Sequence, residues 1–446
     1  MSNESLSRRL FLMGGTAALA APALPARMSL PERVSHKSLN EKLNIAGIGI
    51  GGKGRSDLAG CAGENIVALA DPDWDYAART FAKYPKAAKY KDFRQMLDKE
   101  TGLDAVIIAT PDHNHAITAL HCMERGLGVY VQKPMAHSVT EARAMLAAAR
   151  KYGVATQMGN QGHSNDGARR ACEIIWSGAI GDVREVHAWT NRPIWPQGID
   201  ALLPEQPVPA TMDWDVWLGP AEERPYNIGY APFKWRGWFD YGCGALGDMA
   251  CHILDPSNWA LQLHAPTSVE VVSQEKDNKY TFPTKSVIRF EFPARGSMPP
   301  VTLYWYDGGN LPPRQAGLGP DVKLGDPKDG RNGSLFVGDK GFLTTGTYGE
   351  HTRLVPDDKM ADYKMPPEVL SRSPGHYQDW IRACKGGAPA CSNFEYAAPF
   401  TEWVLLGVSA LRAGHKLEWD SKAMKFSNDK TADDTLKWHR RKGWKA

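Results

Sequence analysis

The chain has 446 residues, and 53 Lys and Arg against 50 Asp and Glu leave a formal net charge of +3. That length exceeds one ordinary core, so two domains are expected, and the small charge gives no case for a nucleic-acid partner. The seven cysteines (Cys61, Cys122, Cys172, Cys243, Cys251, Cys384 and Cys391) form no CxxC pair, which argues against a zinc ribbon or thioredoxin-type site; Cys384 and Cys391 are candidates for a disulfide after export.

Residues 1–26 read as a targeting segment rather than fold. Ser7-Arg8-Arg9-Leu10-Phe11-Leu12 carries twin arginines, the run 11–24 is short and weakly apolar, and Ala21, Ala23 and Ala26 offer cleavage points. The segment resembles a twin-arginine export signal, so a periplasmic location and no stable membrane span are expected. Residues 27–42 are polar and aperiodic, as in a linker. Then short apolar runs at 43–47, 66–70, 105–109, 129–131 and 155–158 alternate with helical patterns, clearest at 115–125 and 139–152. That grammar predicts a doubly wound parallel α/β sheet over 43–160. Beyond it, a helix at 166–176 precedes longer strands at 183–190, 268–273, 286–292 and 301–305, without helices between the later ones. Residues 161–446 are therefore expected to form an α+β domain with a largely antiparallel open sheet. The stretch 308–333 is Gly- and Pro-rich, a functional or mobile loop. A helix running from 403 to 416 and beyond is expected near the domain junction.

Gly47-Ile48-Gly49-Ile50-Gly51-Gly52 directly follows the first strand and fits the dinucleotide fingerprint. Gly47 permits the tight turn, Gly49 admits the pyrophosphate, and Gly52 lets the helix pack on the strand, while the helix N-terminus favours phosphate. Lys53 and Arg55 offer added charge there. Asp71 ends the second strand, 24 residues after Gly47. A carboxylate there accepts ribose hydroxyls and repels a 2′-phosphate, which favours NAD over NADP; Asp73 is the weaker substitute. The next strand delivers Thr110 and Pro111 to the cofactor crevice, and His115 follows. His115 reads either as a cofactor-side residue or as a helix-start residue satisfied by the backbone.

The fourth strand ends in Gln132-Lys133-Pro134, and the second domain carries Gly247-Asp248-Met249-Ala250-Cys251-His252 with Asp255. With the glycine fingerprint and the Thr-Pro turn, this ordered set resembles the Gfo/Idh/MocA oxidoreductases. The resemblance implies an NAD-binding Rossmann domain, redox chemistry on a sugar or cyclic polyol hydroxyl, and a catalytic cluster of Lys133, Asp248 and His252. His252 is the expected general base, Lys133 the oxygen-polarising cation, and Asp248 the residue that orients hydroxyls or relays the proton. Spacing alone places Asp248 and His252 on one helical face; it equally allows a helix cap with a core histidine, or a metal site with Asp255. No metal is expected. The family's turn is Glu-Lys-Pro, so Gln132 removes a charge beside Lys133. His163 stands where members often carry an arginine. Among the rings at 226–241, Trp235 and Tyr241, with Arg236, are candidate carbohydrate contacts, and core packing explains several of these rings equally well.

Three functions follow from the resemblance. One is a sugar or polyol oxidoreductase with a tightly bound, internally recycled cofactor, because an exported protein is expected to meet no free NAD pool. Another is a redox-neutral NAD-dependent glycoside hydrolase or lyase. The third is a sugar-binding protein with an idle dinucleotide fold. A homodimer or tetramer is expected.

Overall fold

The computed structural model describes residues 41–328 and 330–445; the twin-arginine segment and nearly all of the expected linker lie outside them. The first half builds β1 (Asn44–Ile48), α1 (Lys53–Gly60), β2 (Asn65–Ala70), α2 (Trp74–Lys83), β3 (Ala88–Tyr90), α3 (Phe93–Lys99), β4 (Ala105–Ile108), α4 (His115–Glu124), β5 (Gly128–Val131), α5 (Val139–Tyr152) and β6 (Thr156–Met158). These strands form one parallel sheet in the order β3-β2-β1-β4-β5-β6. The order reverses between β1 and β4, which opens a crevice beyond their C-terminal ends. Register levels those ends: Ile48 pairs with Ala70 and Ile108, Ile108 with Val131, and Val131 with Met158. Gly49, Asp71, Thr110 and Lys133 therefore leave the sheet along one edge.

The local signals are physical. Ser138 and Glu141 form a reciprocal capping box at the start of α5, and Gly153 ends it in the left-handed region, so the predicted bounds 139–152 are those observed.

The second half builds α6 (Asp166–Trp176), β7 (Val183–Trp189), α7 (Trp214–Leu218), α8 (Gly244–Ile253), α9 (Asp255–Ala260), β8 (Ser268–Glu275), β9 (Lys285–Phe292), β10 (Val301–Tyr306), β11 (Gly333–Gly338), β12 (Phe342–Thr345), β13 (Arg353–Val355), α10 (Asp357–Ala361), α11 (His376–Cys384), α12 (Phe394–Ala413), β14 (Leu417–Asp420) and β15 (Lys425–Phe426). The strands make one sheet, β13-β12-β11-β7-β10-β9-β8-β14-β15. It is antiparallel except where β10 runs parallel to β7. The expected fold class, a Rossmann sheet followed by a largely antiparallel α+β sheet, is observed.

Period two divides this sheet. Val186, Ala188, Ile288, Phe290, Leu303 and Trp305 face α8 and α12 in the main core. Trp189, Tyr306 and Leu335 face the other way, under Leu318, Val322 and Leu324 of the long loop. The Gly- and Pro-rich stretch thus covers an apolar sheet face.

Two expectations need correction. The predicted helix from 403 begins earlier, at Phe394, where the Asn393 side chain caps it through the Glu395 amide, and it continues through Pro399; it does not run past 416, because Gly414 at φ 73 terminates it and β14 follows. Cys384 and Cys391 are free thiols; Cys384 approaches Gly128, whereas Cys391 lies beside Ser164.

Candidate functional site

A cleft of about 430 Å³ runs along the levelled strand ends and across to α8. At one end stands the glycine turn. Gly49 has φ +75, and a Cβ there would lie 2.5 Å from the Thr110 backbone nitrogen, so only glycine fits. Close helix-to-strand approach belongs to Gly54, not to Gly52 as the fingerprint suggests. A Cβ on Gly54 would meet the Gly49 carbonyl oxygen at 2.3 Å, whereas Gly52 faces only the Tyr76 side chain. Asp71 has a second task that its position alone does not reveal. Its Oδ2 accepts from the Ile50 and Gly51 amides at 2.8 and 3.0 Å, which clamps the loop. Burial pushes its carboxyl up to about 7 against the pull of three amide donors. Asp73 instead caps α2 through the Tyr76 amide.

Thr110 and Pro111 line the cleft, and the buried Thr110 hydroxyl has no partner. His115 also lines it, but its ring bridges two carbonyls, Pro134 at 2.8 Å and Thr110 at 3.0 Å. Burial lowers it to about 4, so the ring is neutral and its single N–H donates to one of these two carbonyls, set by the tautomer. Gln132 donates to Asp57 at 2.8 Å. Asp57 also pairs with Lys53, at 2.8 Å. The neutral amide therefore suits a buried carboxylate across the turn, and the carboxylate partner of Lys133 is Asp248. Lys53 lines the cleft; Arg55 does not.

Lys133, Asp248 and His252 converge as expected. Lys133 Nζ meets Asp248 Oδ1 at 2.9 Å, and Arg236 Nε meets the same oxygen at 3.2 Å. Burial alone would raise the Asp248 carboxyl, but Lys133 and then Arg236 outweigh it and hold it well below the usual range. His252, one turn on, is 4 % exposed, and its Nδ1 has no partner. Burial first, then Lys133, hold its pKa well below 6.5, so the imidazole is neutral. The Tyr348 ring packs edge-on against it at 4.8 Å.

Trp235 and Arg236 line this end, with the guanidinium 4.2 Å from the Trp235 ring. His163 and Tyr241 are not part of the lining. His163 is buried on Asp255 at 2.9 Å between Trp259 and Tyr396. Tyr241 is fully buried in an aromatic cluster with Trp217, Tyr230 and Trp238. Asp255 begins a separate helix and is engaged by Asn160, His163 and Tyr396, so it does not share a face with Asp248. Among the described residues no three His, Cys, Asp or Glu side chains are grouped to hold a metal.

The cleft-lining residues that sequence reasoning missed include Asp112, Arg192 and Tyr348. Asp112 directly follows Thr110-Pro111, and that position was the available signal; its Oδ2 accepts from the Cys243 amide at 3.1 Å, and burial pushes it up to about 7. Arg192 and Tyr348 come from loops without a motif. Chemically, the cleft joins a cation able to polarise an oxygen, a neutral imidazole able to take a proton, and a glycine turn suited to a pyrophosphate.

Residues 43–160 match the Gfo/Idh/MocA model described as an oxidoreductase family with an NAD-binding Rossmann fold, and residues 182–292 match that family's C-terminal alpha/beta domain. The chain is similar to a 2,7-anhydro-N-acetylneuraminate hydratase of Mediterraneibacter gnavus, 30% identical over 29% of this chain and 33% of that one. It is also similar to an inositol 2-dehydrogenase of Serratia proteamaculans, 28% identical over 34% of this chain and 46% of that one. The match thus spans a third to a half of those relatives. In fold it resembles an aldose-aldose oxidoreductase of Caulobacter crescentus, with TM-score 0.55 and 17% identity over 85% of this chain and 100% of that one.

Proposed function

The chain belongs to the Gfo/Idh/MocA oxidoreductase family, and on that premise we propose that it moves a hydride between NAD and a hydroxyl of a sugar or cyclic polyol. The observation that carries this reading is the convergence of Lys133, Asp248 and neutral His252 on the cleft that begins at Gly49 and Asp71. The residues present fit a dinucleotide. Gly49 leaves the turn bare of side chain, Thr110 offers a buried unpartnered hydroxyl, and Asp71 carries a carboxylate at the end of β2.

The glycine turn and the start of α1 would hold the phosphates, and Asp71 the ribose hydroxyls. When bound, the nicotinamide supplies the hydride acceptor. Asp248 fixes Lys133 so that its ammonium polarises the reacting oxygen. His252 takes the hydroxyl proton as the carbonyl forms and gives it back in the reverse direction. Trp235, 6 % exposed and covered by the Arg236 guanidinium, forms part of the cleft wall.

The named activities of the relatives, an inositol dehydrogenase and a hydratase, support the substrate class. The twin-arginine segment supports export with the cofactor in place, which makes that cofactor resident and reset within each cycle. A redox-neutral hydration, hydrolysis or elimination is the second reading. Asp112 favours it, since a protonatable carboxyl near neutrality beside the catalytic cluster supplies the extra acid or base that elimination needs.

The test uses purified protein, a panel of sugars and aryl glycosides, and no added NAD. Co-purifying nucleotide with aglycone release or sugar conversion over many turnovers is expected. Activity that requires free NAD and releases NADH contradicts the resident cofactor. Equal activity in Lys133→Ala contradicts catalysis at this site and favours an idle fold.

A further inference from the structure

The charges at the catalytic end of the cleft do not balance. Three cationic side chains, Lys133, Arg192 and Arg236, surround Asp248. Two of them share its Oδ1. Arg192 reaches only Oδ2, at 3.9 Å, and its Nη1 donates to the neighbouring Asn191 side chain at 2.5 Å. Arg192 thus lines the cleft with a quarter of its side chain exposed, and its contact with Asp248 is the longest of the three. The other nearby carboxyl, Asp112, is only part-ionised at neutral pH because burial lifts it to about 7. A surplus of positive charge in a partly desolvated cleft is unfavourable until an anion joins it. The dinucleotide's phosphates belong to the far end, at the glycine turn and the start of α1.

Geometry narrows the anion. The Arg236 guanidinium packs between the Trp235 and Phe233 rings at 4.2 and 4.5 Å, so the cation is immobilised. Guanidinium forks match planar carboxylates through paired N–H bonds. We propose that the substrate is a sugar bearing a carboxylate, a uronic acid or its glycoside, whose carboxylate is received by Arg192 with Arg236 beside it. The proposal rests on the reading that this cleft binds a sugar.

The test is calorimetric titration of the holoprotein with gluco-, galacto- and manno-configured uronates and their neutral pyranose twins, with reduced-nicotinamide absorbance followed in parallel. At least one uronate is expected to bind about tenfold or more tightly than its twin, as for a charged hydrogen-bonded pair, and added salt should erode the difference. Arg192→Gln should collapse the ratio, and Arg192→Lys should restore only part of it, with the nucleotide content of both variants unchanged. Equal or weaker binding of every uronate overturns the proposal, as does failure of all of them to bind. So does an Arg192→Gln protein that loses both sugars in equal proportion or sheds its nucleotide. A uronate that binds preferentially without any absorbance change leaves the carboxylate site standing and removes the redox reading instead.

Discussion

Asp248 holds the cleft's cations in place, and its removal should be felt as lost chemistry. Asp248→Asn removes the negative charge that holds Lys133 and Arg236 on one oxygen. A fall in kcat of roughly 10²–10⁴ is expected, with nucleotide content unchanged, as measured by single-turnover reduction of the bound cofactor. Asp71 makes a pH prediction. Its carboxyl, lifted by burial to about 7, binds ribose hydroxyls best when ionised. NAD affinity of the apo protein should therefore weaken as pH falls through 7, by up to about tenfold per unit. In Asp71→Asn, calorimetry should find weaker binding with that dependence gone. A wild-type affinity flat between about pH 5.5 and 8.5 contradicts this assignment. Lys133, Asp248 and His252 were legible because each sits in a short motif, the first directly after β5 and the other two on α8. Arg192 and Tyr348 were not, because they reach the cleft from loops flanking β7 and β12 and have no fixed spacing from any motif.

The turns that leave the first sheet are where backbone space is tightest. Gly49→Ala combines a left-handed φ with a Cβ 2.5 Å from Thr110. It should cost about 2 kcal/mol or more in denaturant unfolding. Gly63→Ala, with nothing within 4 Å, should stay within about 0.5 kcal/mol. Gln132→Glu would set a second carboxylate against buried Asp57 in place of the 2.8 Å amide bond. A loss of about 1–3 kcal/mol is expected near neutral pH. The introduced carboxyl's folded-state pKa would be raised, so the loss should be smallest below about pH 4, where the unfolded chain is also protonated, and grow as pH rises. At this scale the sequence was readable wherever apolar runs were long. The strands β1, β2, β4 and β5 were legible for that reason, whereas β3 has only Ala88-Lys89-Tyr90. The helix α11 was missed because its apolar side, Tyr377, Trp380 and Ile381, packs against the first sheet's cluster with Leu43, Ile45 and Tyr130, far away in sequence.

The two sheets are joined by more than the chain crossing between them. α12 packs on α5 and also against α8 and β8 in one core. Arg143 meets Glu402 with two 2.7 Å bonds, and Arg150 meets Glu395 with two 2.6 Å bonds. Residues 41–445 are therefore expected to unfold in one transition, coincident by tryptophan fluorescence and far-ultraviolet dichroism, and to shift upward together when nucleotide is bound. Two separated transitions would contradict this coupling. The proposed hydride transfer between a sugar and a bound dinucleotide runs through Lys133, Asp248 and His252. Stopped-flow mixing of nucleotide-loaded protein with the sugar panel, in wild type and in His252→Ala of equal nucleotide content, tests it most directly. A rise in reduced-nicotinamide absorbance is expected in the wild type, slowing at least about a hundredfold in the variant. An equal rise in both proteins, or no rise with any sugar or polyol, contradicts it.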